Sequence, residues 1–510
     1  MNDRLRADDA AARPSTDGPA AAPAPTGAPR AVSSARATAT GAAYTYGAQV
    51  GTVVLQFGYA ALTSRLLGPS AFGEYSAGLI SAGLVTQIAI AGIPQAVTRL
   101  SDRRGGELTS LLLYAAGVGL VSSLVLLLTA PLWAALWGTD GAADIVRLLA
   151  LNILFVPLVS FATGMALRAR RFKMLATVVL VCNVTGMAAG GAAVLLTRAP
   201  ESLVVSVITA QALTAVVLLG LLRRDLTERP SIRTALANIS YSFGISSAWS
   251  VYYIAANLGR LAVSRTLGHS MLGYWNRAEV LTTVPFYQVQ NAMAQALYPQ
   301  FRKDREDPTR ARRIWADLLG LVAWLCLPAA AMLAVGAPVL VHTLFGPGWA
   351  GVEGIAPFLA LIGGVQALAF VLVAALEVLG RIAWLWHGYL LALVVAAGGA
   401  AIGAATHELT PTLVGLLVAV TAMHGYHVVR CAIAGLIGLR PLLGLYASAA
   451  VAAAIAAAVI RVAELASSAA GAPDGAPLAV VVAGLLLLGA AVALRHRLPV
   501  VRIARKHGIL

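Results

Sequence analysis

The sequence predicts an all-α integral membrane protein of about fourteen transmembrane helices, arranged as two parallel six-helix lobes followed by two extra C-terminal helices. Three observations predict it: a scarcity of charge, recurring apolar stretches and an internal repeat. Of the 510 residues, 59% are hydrophobic and only 12% are charged, and the mean hydropathy is +0.79. A soluble globular protein carries about 25% charged residues, so this composition excludes an ordinary soluble enzyme.

The first 40 residues differ in composition from the rest of the chain. They are rich in alanine, proline and arginine, and no apolar run follows the early arginines. A secretory signal peptide would place such a run directly after its positive charges. We therefore expect residues 1–40 to form a disordered cytoplasmic tail.

From Gly41 onward, long apolar stretches alternate with short polar links. An α-helix needs about 20 apolar residues to cross the hydrocarbon core of a bilayer, and fourteen stretches meet that length. The segments 240–263 and 278–300 carry many polar groups. The predicted spans are 41–64, 75–98, 108–132, 145–167, 174–197, 202–222, 240–263, 278–300, 315–343, 354–379, 382–405, 411–434, 441–461 and 478–494.

The placement of the basic residues supports this count. The net charge is +15, but a nucleic-acid-binding surface would need that charge clustered on one face. With the N-terminal tail in the cytoplasm, all but seven of the 37 basic residues fall on the cytoplasmic side, as the positive-inside rule requires. We therefore expect both termini to be cytoplasmic and expect no nucleic-acid partner. The seven exceptions are Arg65, Arg147, Arg198, Arg260, Arg265, Arg277 and Arg461.

An internal repeat relates the two predicted lobes. Residues 65–75 and 265–275 share Arg, Leu, Gly, Ser and Gly at identical spacing, and each segment ends in an aromatic residue. Further on, the tripeptide 136–138, Leu-Trp-Gly, resembles 344–346, Leu-Phe-Gly. The copies begin six spans apart, so both run in the same direction through the membrane, as in parallel repeats related by an axis along the membrane normal. Such folds place a substrate site between the lobes.

These spans divide the chain into domains. We expect a first lobe at 41–222, a cytoplasmic linker at 223–239 and a second lobe at 240–434. Spans 13 and 14 lie in 435–494, and 495–510 is a basic cytoplasmic tail.

The first span of each lobe carries one polar stripe. The offsets between successive polar residues are the same in both spans and place them on one helical face. Helix–helix hydrogen bonding would explain one such stripe, whereas its recurrence favours a partner or a wet cavity. The stripes are Thr45, Gln49, Thr52, Gln56, Tyr59 and Thr63 in span 1, and Ser246, Ser250, Tyr253, Asn257, Arg260 and Ser264 in span 7.

Arg260 is the most informative residue of the stripes, because an intramembrane arginine needs an anionic partner. Glu74 and Glu279 are candidate protein partners, and a ligand phosphate is the alternative, since guanidinium binds phosphate well. Arg65, Arg265 and Arg277 are expected to snorkel to the interface. The predicted cavity residues are Gln49, Thr52, Gln56, Tyr59, Ser250, Tyr253, Asn257, Arg260, Gln288, Asn291 and Gln295.

The sequence lacks the motifs of nucleotide, metal and nucleophilic chemistry. It contains no P-loop, no GxGxxG and no HExxH. His424 and His427 share a helical face but lack a nearby carboxylate, which makes a poor metal site. Three widely separated cysteines within apolar runs are expected to be buried hydrophobes. We expect no cofactor and no metal.

Several ordered motifs resemble bacterial polysaccharide flippases of the Wzx type, within the multidrug/oligosaccharidyl-lipid/polysaccharide (MOP) superfamily. The resemblance covers about 41–440, with the last two spans fitting a fourteen-span member. One departure is Gly259, since many relatives carry Asn-x-Asp before the basic residue of the seventh span; this departure bears on ion coupling. The motifs are Arg65, Leu67, Gly68, Gly73, Tyr75, Gly92 and Pro94 in the first lobe, and Asn257, Arg260, Leu267, Gly268, Leu272, Gly273, Tyr274, Pro285, Leu297, Tyr298, Pro299, Leu344, Phe345, Gly346 and Trp349 in the second.

This resemblance implies a flippase that translocates polyprenyl-diphosphate-linked oligosaccharide across the bacterial cytoplasmic membrane by alternating access, for surface polysaccharide biosynthesis. A polysaccharide polymerase and glycosyltransferases are the implied partners, beside the membrane lipids. Two alternatives remain open. One is a cation-coupled multidrug or small-molecule antiporter of the same superfamily, and the other is a membrane-embedded glycan polymerase or ligase.

Overall fold

In the part of the chain that the structure describes, all regular secondary structure is helical. The computed structural model describes residues 51–90, 93, 97, 105–169, 171–226, 239–303, 308–469, 480, 482–484 and 486–487. Short 3₁₀ turns follow α6 at Arg223–Asp225 and α9 at Pro347–Val352. The helices are α1 (51–66), α2 (Pro69–Ala89), α3 (Gly105–Trp137), α4 (Gly141–Arg168), α5 (Phe172–Thr197), α6 (Ser202–Leu222), α7 (Ile239–Leu267), α8 (His269–Lys303), α9 (Pro308–Phe345), α10 (Ala356–Val378), α11 (Ile382–Thr406), α12 (Thr410–Ile433) and α13 (Leu439–Ala469).

This architecture confirms the predicted all-α membrane fold. Within the described ranges, nine helices are long and apolar enough to cross a bilayer: α3 to α6 and α9 to α13. Helices α7 and α8 fall short of that apolarity, as their many polar residues predict. The count of fourteen stays a prediction, because most of 478–494 lies outside the described residues.

Lipid explains both the helices and their outer surfaces. A hydrocarbon environment offers the peptide groups no water, so each must be hydrogen-bonded within its own segment. Large apolar side chains accordingly point outward at Leu128, Leu196 and Val394, which are exposed in the isolated chain. The surface is therefore that of a multi-pass membrane protein.

Helices pack in the same pattern in both halves of the chain. In the first half, α3 packs on α4, α5 on α6, and α4 contacts both α2 and α6. In the second half, α9 packs on α10, α11 on α12, and α10 contacts both α8 and α12. Each pair in the second half has its counterpart six helices earlier, as the parallel repeat predicts. The domain boundaries at 222 and 434 stay predictions.

The two halves meet chiefly through α2 and α8, with smaller contacts from α7 to α2 and α3. The remaining long helix, α13, lies against α9 of the second half. There Gly320 faces Leu445, and the indole nitrogen of Trp324 donates a hydrogen bond to the Ser448 hydroxyl over 2.9 Å. Helix α13 is thus an addition to the second half.

Small residues bring α11 and α12 into backbone contact. A Cβ added at Gly399 would lie 2.6 Å from the Cα of Gly415, whereas one added at the adjacent Gly398 meets nothing within 4 Å.

We expect Gly399→Val to destabilise the purified protein by about 1–3 kcal/mol, because an inserted side chain must force the helices apart. Thermal unfolding in detergent measures this loss. Gly398→Val is the matched control, and an equal loss in both variants would contradict the packing.

Candidate functional site

A cavity of about 500 Å³ lies mainly within the second half of the chain. Helices α7, α8, α10, α11 and α12 form its walls, and Gln87 of α2 contributes from the first half. The repeat predicts a site between the halves, whereas this cavity lies mostly in the second half. Its polar and aromatic lining comprises Gln87, Tyr252, Tyr253, Asn257, Arg260, Trp275, Glu279, Thr283, Tyr287, Gln366, Phe370 and Tyr389.

An ion pair occupies the wall between α7 and α8. Arg260 Nη2 donates to Glu279 Oε1 over 2.6 Å, and their side chains are 16% and 29% exposed. The guanidinium also lies 5.8 Å from the ring centroid of Trp275. Of the two predicted carboxylate partners, Glu279 is therefore the one that meets Arg260. Glu74 instead lies beside Gly141, where α4 begins.

Tyr253 and Asn257 extend the polar wall along α7. The Tyr253 hydroxyl donates to the carbonyl of Ile80 in α2 over 3.0 Å, which ties the cavity wall to the first half. The Asn257 amide donates to the Tyr253 carbonyl over 2.8 Å, while its Oδ1 is buried without a hydrogen-bond partner. An unpaired buried acceptor is costly, so this oxygen is suited to receive a hydroxyl or amide from a ligand.

Another part of the wall, where α7, α10 and α11 meet, contains residues that the polar stripes do not predict. Gln366 of α10 donates its amide to the Tyr252 hydroxyl over 3.0 Å, and the rings of Tyr252 and Tyr389 lie 5.1 Å apart. Gln366 is the one amide of its span, whose other strongly polar residue, Glu377, lies at the C-terminal end, and that isolation is the sequence signal that would have found it. This wall offers aromatic faces with hydroxyl and amide groups at their edges.

The predicted residues of span 1 do not line the cavity. Tyr59 instead lies beside Gly190 of α5 and Ser206 of α6, within the first half. Thr52, Gln56 and Ser250 are also absent from the lining. The side chains of the remaining predicted residues, Gln49, Gln288, Asn291 and Gln295, lie outside the described residues.

The register of the repeat explains this difference between the two stripes. The repeated motif has an offset of 200 residues, as in Arg65 and Arg265, whereas the stripes match at an offset of 201. One residue rotates a side chain by about 100° around a helix. The counterpart of Tyr59 is therefore Gly259, which contacts Thr412 of α12, and α12 is the counterpart of α6. The counterpart of Arg260 is the buried Ala60.

Arg277 requires a correction, because its side chain is buried inside the protein and does not snorkel. Only 4% of the residue is exposed, and its guanidinium carbon lies 3.6 Å from the ring centroid of Phe72 in α2. The expectation of snorkelling was wrong because α8 packs against α2 from its first turn, which encloses a residue two turns further on. The charge is thus held between the two halves.

No carboxylate pairs with Arg277 among the described residues. Its Nε is buried without a hydrogen-bond partner, and its electrostatic neighbours are the hydroxyls of Tyr59 in α1 and Tyr75 in α2. A cation–π contact offsets part of the cost of burying a charge, but an unpaired buried ion remains unfavourable. The arrangement of one guanidinium with two phenols is suited to an anion.

Comparisons with known proteins place the chain among polysaccharide biosynthesis proteins. A sequence model of the family described as "Polysaccharide biosynthesis protein" matches residues 62–353. The lipopolysaccharide biosynthesis protein WzxC of Escherichia coli (strain K12) is 22% identical over 331 residues, which cover 62% of this chain and 65% of that protein, just under two thirds of its length. The succinoglycan biosynthesis transport protein ExoT of Rhizobium meliloti (strain 1021) is 24% identical over 373 residues, 72% of this chain and 75% of that protein.

A solved structure shares the fold at much lower sequence identity. The lipid II flippase MurJ in an inward closed conformation superposes with a TM-score of 0.67. The match covers 89% of this chain and 99% of MurJ, with 9% identity. At that identity the likeness shows the fold alone.

The pairing of Arg260 with Glu279 can be tested by removing one charge. We expect Glu279→Gln to lower the free energy of unfolding by about 1–3 kcal/mol, because it strands a partly buried cation; the partial exposure of both side chains keeps the loss below that of a fully buried pair. The exchange Arg260→Glu with Glu279→Arg should recover most of this loss. Thermal unfolding in detergent provides the measurement.

The control is Arg147→Gln, which removes an exposed ion pair with Asp144 and should cost less than about 1 kcal/mol. Equal losses in Glu279→Gln and Arg147→Gln would contradict a structural role for the cavity pair.

Proposed function

The chain belongs to the polysaccharide biosynthesis protein family, and we propose that it is a flippase that moves a polyprenyl-diphosphate-linked oligosaccharide from the cytoplasmic to the outer leaflet. The site is the bacterial cytoplasmic membrane, with both termini in the cytoplasm. The cargo would supply a surface polysaccharide pathway, in which glycosyltransferases build the oligosaccharide and a polymerase consumes it. The protein itself forms no bond in this process.

The observation that carries the proposal is Arg277. A lipid-linked diphosphate presents two adjacent phosphate groups, and guanidinium is the side chain best shaped to bind phosphate through two parallel hydrogen bonds. Arg277 is buried, has a donor without a partner and belongs to α8, the helix that joins the halves. The cost of its unpaired charge is recovered when the anion arrives. Tyr75 and Tyr59 add hydroxyl donors.

The cavity of the second half would receive the sugars of the same ligand. Its side chains combine aromatic faces, at Trp275 and Tyr252, with amides and hydroxyls, at Gln87, Asn257 and Thr283. Sugar rings present apolar faces and hydroxyl edges, which this lining complements. Trp275 and Glu279 lie in the cavity wall two residues to either side of Arg277, about 200° around the helix, so α8 would contact the sugars with one face and the diphosphate with the other.

Transport then follows from alternating exposure of this site. The two halves contact each other most extensively through α2 and α8, and a ligand that binds both halves shifts the balance between their arrangements. The polyprenyl chain stays in the bilayer, because it gains nothing by leaving hydrocarbon. The paired state of Arg260 leaves the cavity nearly neutral, as suits uncharged sugars.

Deletion of the gene tests the proposed cargo. We expect the deletion strain to retain lipid-linked oligosaccharide on the inner leaflet and to lose the surface polymer, because the precursor no longer crosses the membrane. Extraction of lipid-linked sugars from right-side-out and inside-out vesicles measures the distribution. Normal surface polysaccharide in a strain without a second copy of the gene would contradict the proposal, and loss of drug efflux alone would favour the antiporter alternative.

Substitution of Arg277 tests the diphosphate contact. We expect Arg277→Met to abolish transport and Arg277→Lys to reduce it by roughly tenfold or more, because an ammonium cannot make the bidentate contact. Transport of lipid-linked oligosaccharide in reconstituted vesicles is the readout, with thermal stability measured in parallel. Arg147→Gln is the control for loss of one arginine. Full transport by a stable Arg277→Met protein would remove Arg277 from the site.

A further inference from the structure

The arginines of the internal repeat make reciprocal contacts between the halves. Arg65, which follows α1, donates from Nη2 to the carbonyl of Thr343 in α9 over 3.1 Å. Arg265, near the end of α7, donates from Nη1 to the carbonyl of Ala135 in α3 over 3.0 Å. Each acceptor lies two residues before the end of its helix and three before the glycine of the Leu-aromatic-Gly tripeptide. The acceptors are therefore equivalent positions of the repeat.

The glycines of the same motif are reciprocal as well. A Cβ added at Gly73 would overlap the carbonyl oxygen of His269, and one added at Gly273 would overlap the carbonyl oxygen of Pro69. Both obstacles are backbone atoms, which cannot turn aside. The first turns of α2 and α8 therefore touch backbone to backbone, and any side chain at either glycine would separate them.

Buried contacts complete the junction beneath these exposed arginines. Ser264 donates its hydroxyl to the Trp137 carbonyl over 2.9 Å, and the Trp349 indole nitrogen donates to the Ser64 carbonyl over 2.8 Å. The ring of Trp349 packs edge-on against Phe72, with 5.4 Å between centroids. All these contacts join residues of one half to residues of the other, at a single end of the helices.

We propose that the two copies of the repeated motif form a two-fold seal that closes the outward end of the transport path and that must open to release cargo. We name the seal by its paired residues, Ser64 and Ser264, Arg65 and Arg265, and Gly73 and Gly273. The charge pattern of the sequence assigns this end to the outside. The motif therefore forms a contact that breaks when the halves separate. It occurs twice because each half contributes one copy to this contact.

The chemistry of the seal suits a contact that opens. Its hydrogen bonds end on main-chain carbonyls near helix C-termini, where positive charge is favourable. Arg65 and Arg265 are exposed, so water or lipid phosphate can replace each carbonyl when the halves part. At Gly73 and Gly273 the contact between α2 and α8 has no side chains to interlock, so the backbones can part there without a change of rotamer.

A labelling experiment tests the seal without relying on transport. The reporter is Thr283→Cys, whose side chain lines the cavity, and the probe is a membrane-impermeant maleimide added from the outside of right-side-out vesicles. We expect Gly73→Ala to raise the labelling rate roughly tenfold, because it holds the seal apart and raises the population of the outward-open state. Gly117→Ala is the matched control, since a Cβ there meets nothing within 4 Å.

Arginine variants provide a second route if Gly73→Ala does not fold. We expect Arg65→Gln and Arg265→Gln each to raise the labelling rate severalfold and by similar amounts, because they remove equivalent bonds. The exposed Arg147→Gln should leave it unchanged. Labelling rates equal to those of the controls in all three seal variants would overturn the proposal.

Cross-linking supplies the functional arm, which alone rests on the proposed flippase activity. The Ser70 hydroxyl and the His269 ring lie within hydrogen-bond distance across the seal, with 2.9 Å between Oγ and Nε2. A bifunctional thiol reagent bridging Ser70→Cys and His269→Cys should stop transport, and each single cysteine should not. Continued transport by the fully cross-linked protein would overturn the seal. Changed labelling in a protein that moves no lipid-linked sugar would leave the seal standing and refute the proposed cargo.

Discussion

The backbone contact between α2 and α8 is the interaction on which the rest of the structure depends. Because neither helix carries a side chain at Gly73 or Gly273, the two axes approach closely enough to enclose Arg277 against Phe72. The same placement turns Trp275 and Glu279 toward the cavity on the other side of α8. One close crossing thus joins the halves, buries a cation between them and positions one wall of the cavity.

Arg260 and Arg277 show that the free-energy cost of a buried arginine depends more on an anionic partner than on the depth of burial. Arg260 has a carboxylate at 2.6 Å, so its charge costs little and gives the cavity a fixed polar wall. Arg277 has an aromatic face and two phenols but, among the described residues, no anion. Since an unpaired buried charge is expensive, Arg277 gains most from an incoming phosphate. The sequence favoured Arg260 for that contact, and the geometry moves it one helix further along the chain.

Hydropathy and repeat spacing predict the helices and their order, but not which face meets which neighbour. The spans from α3 to α6 and from α9 to α12 follow from apolar length alone, and the copies at 65–75 and 265–275 predict the paired halves. The stripe of α1 shows where such prediction ends, because a shift of one residue turns Tyr59 away from the cavity. Gln366 and Arg277 acquire their surroundings only through packing across helices distant in sequence. Helical periodicity shows which residues share one face of a helix, but it does not show which neighbouring helix or ligand that face contacts.

The two copies of the repeat match at the seal but differ at the charged residues proposed to bind ligand. This difference separates the residues proposed to open and close the protein from those proposed to bind cargo. At the seal, arginine and glycine recur in both halves at an offset of 200 residues and make equivalent contacts. At the same offset, the counterparts of Arg260, Arg277 and Glu279 are Ala60, Ala77 and Leu79. A contact that must close symmetrically needs both copies, because each half supplies donors for carbonyls of the other. A binding site for a single asymmetric ligand needs only one set of charges, so the first half is free to carry small apolar residues where the second carries its ions.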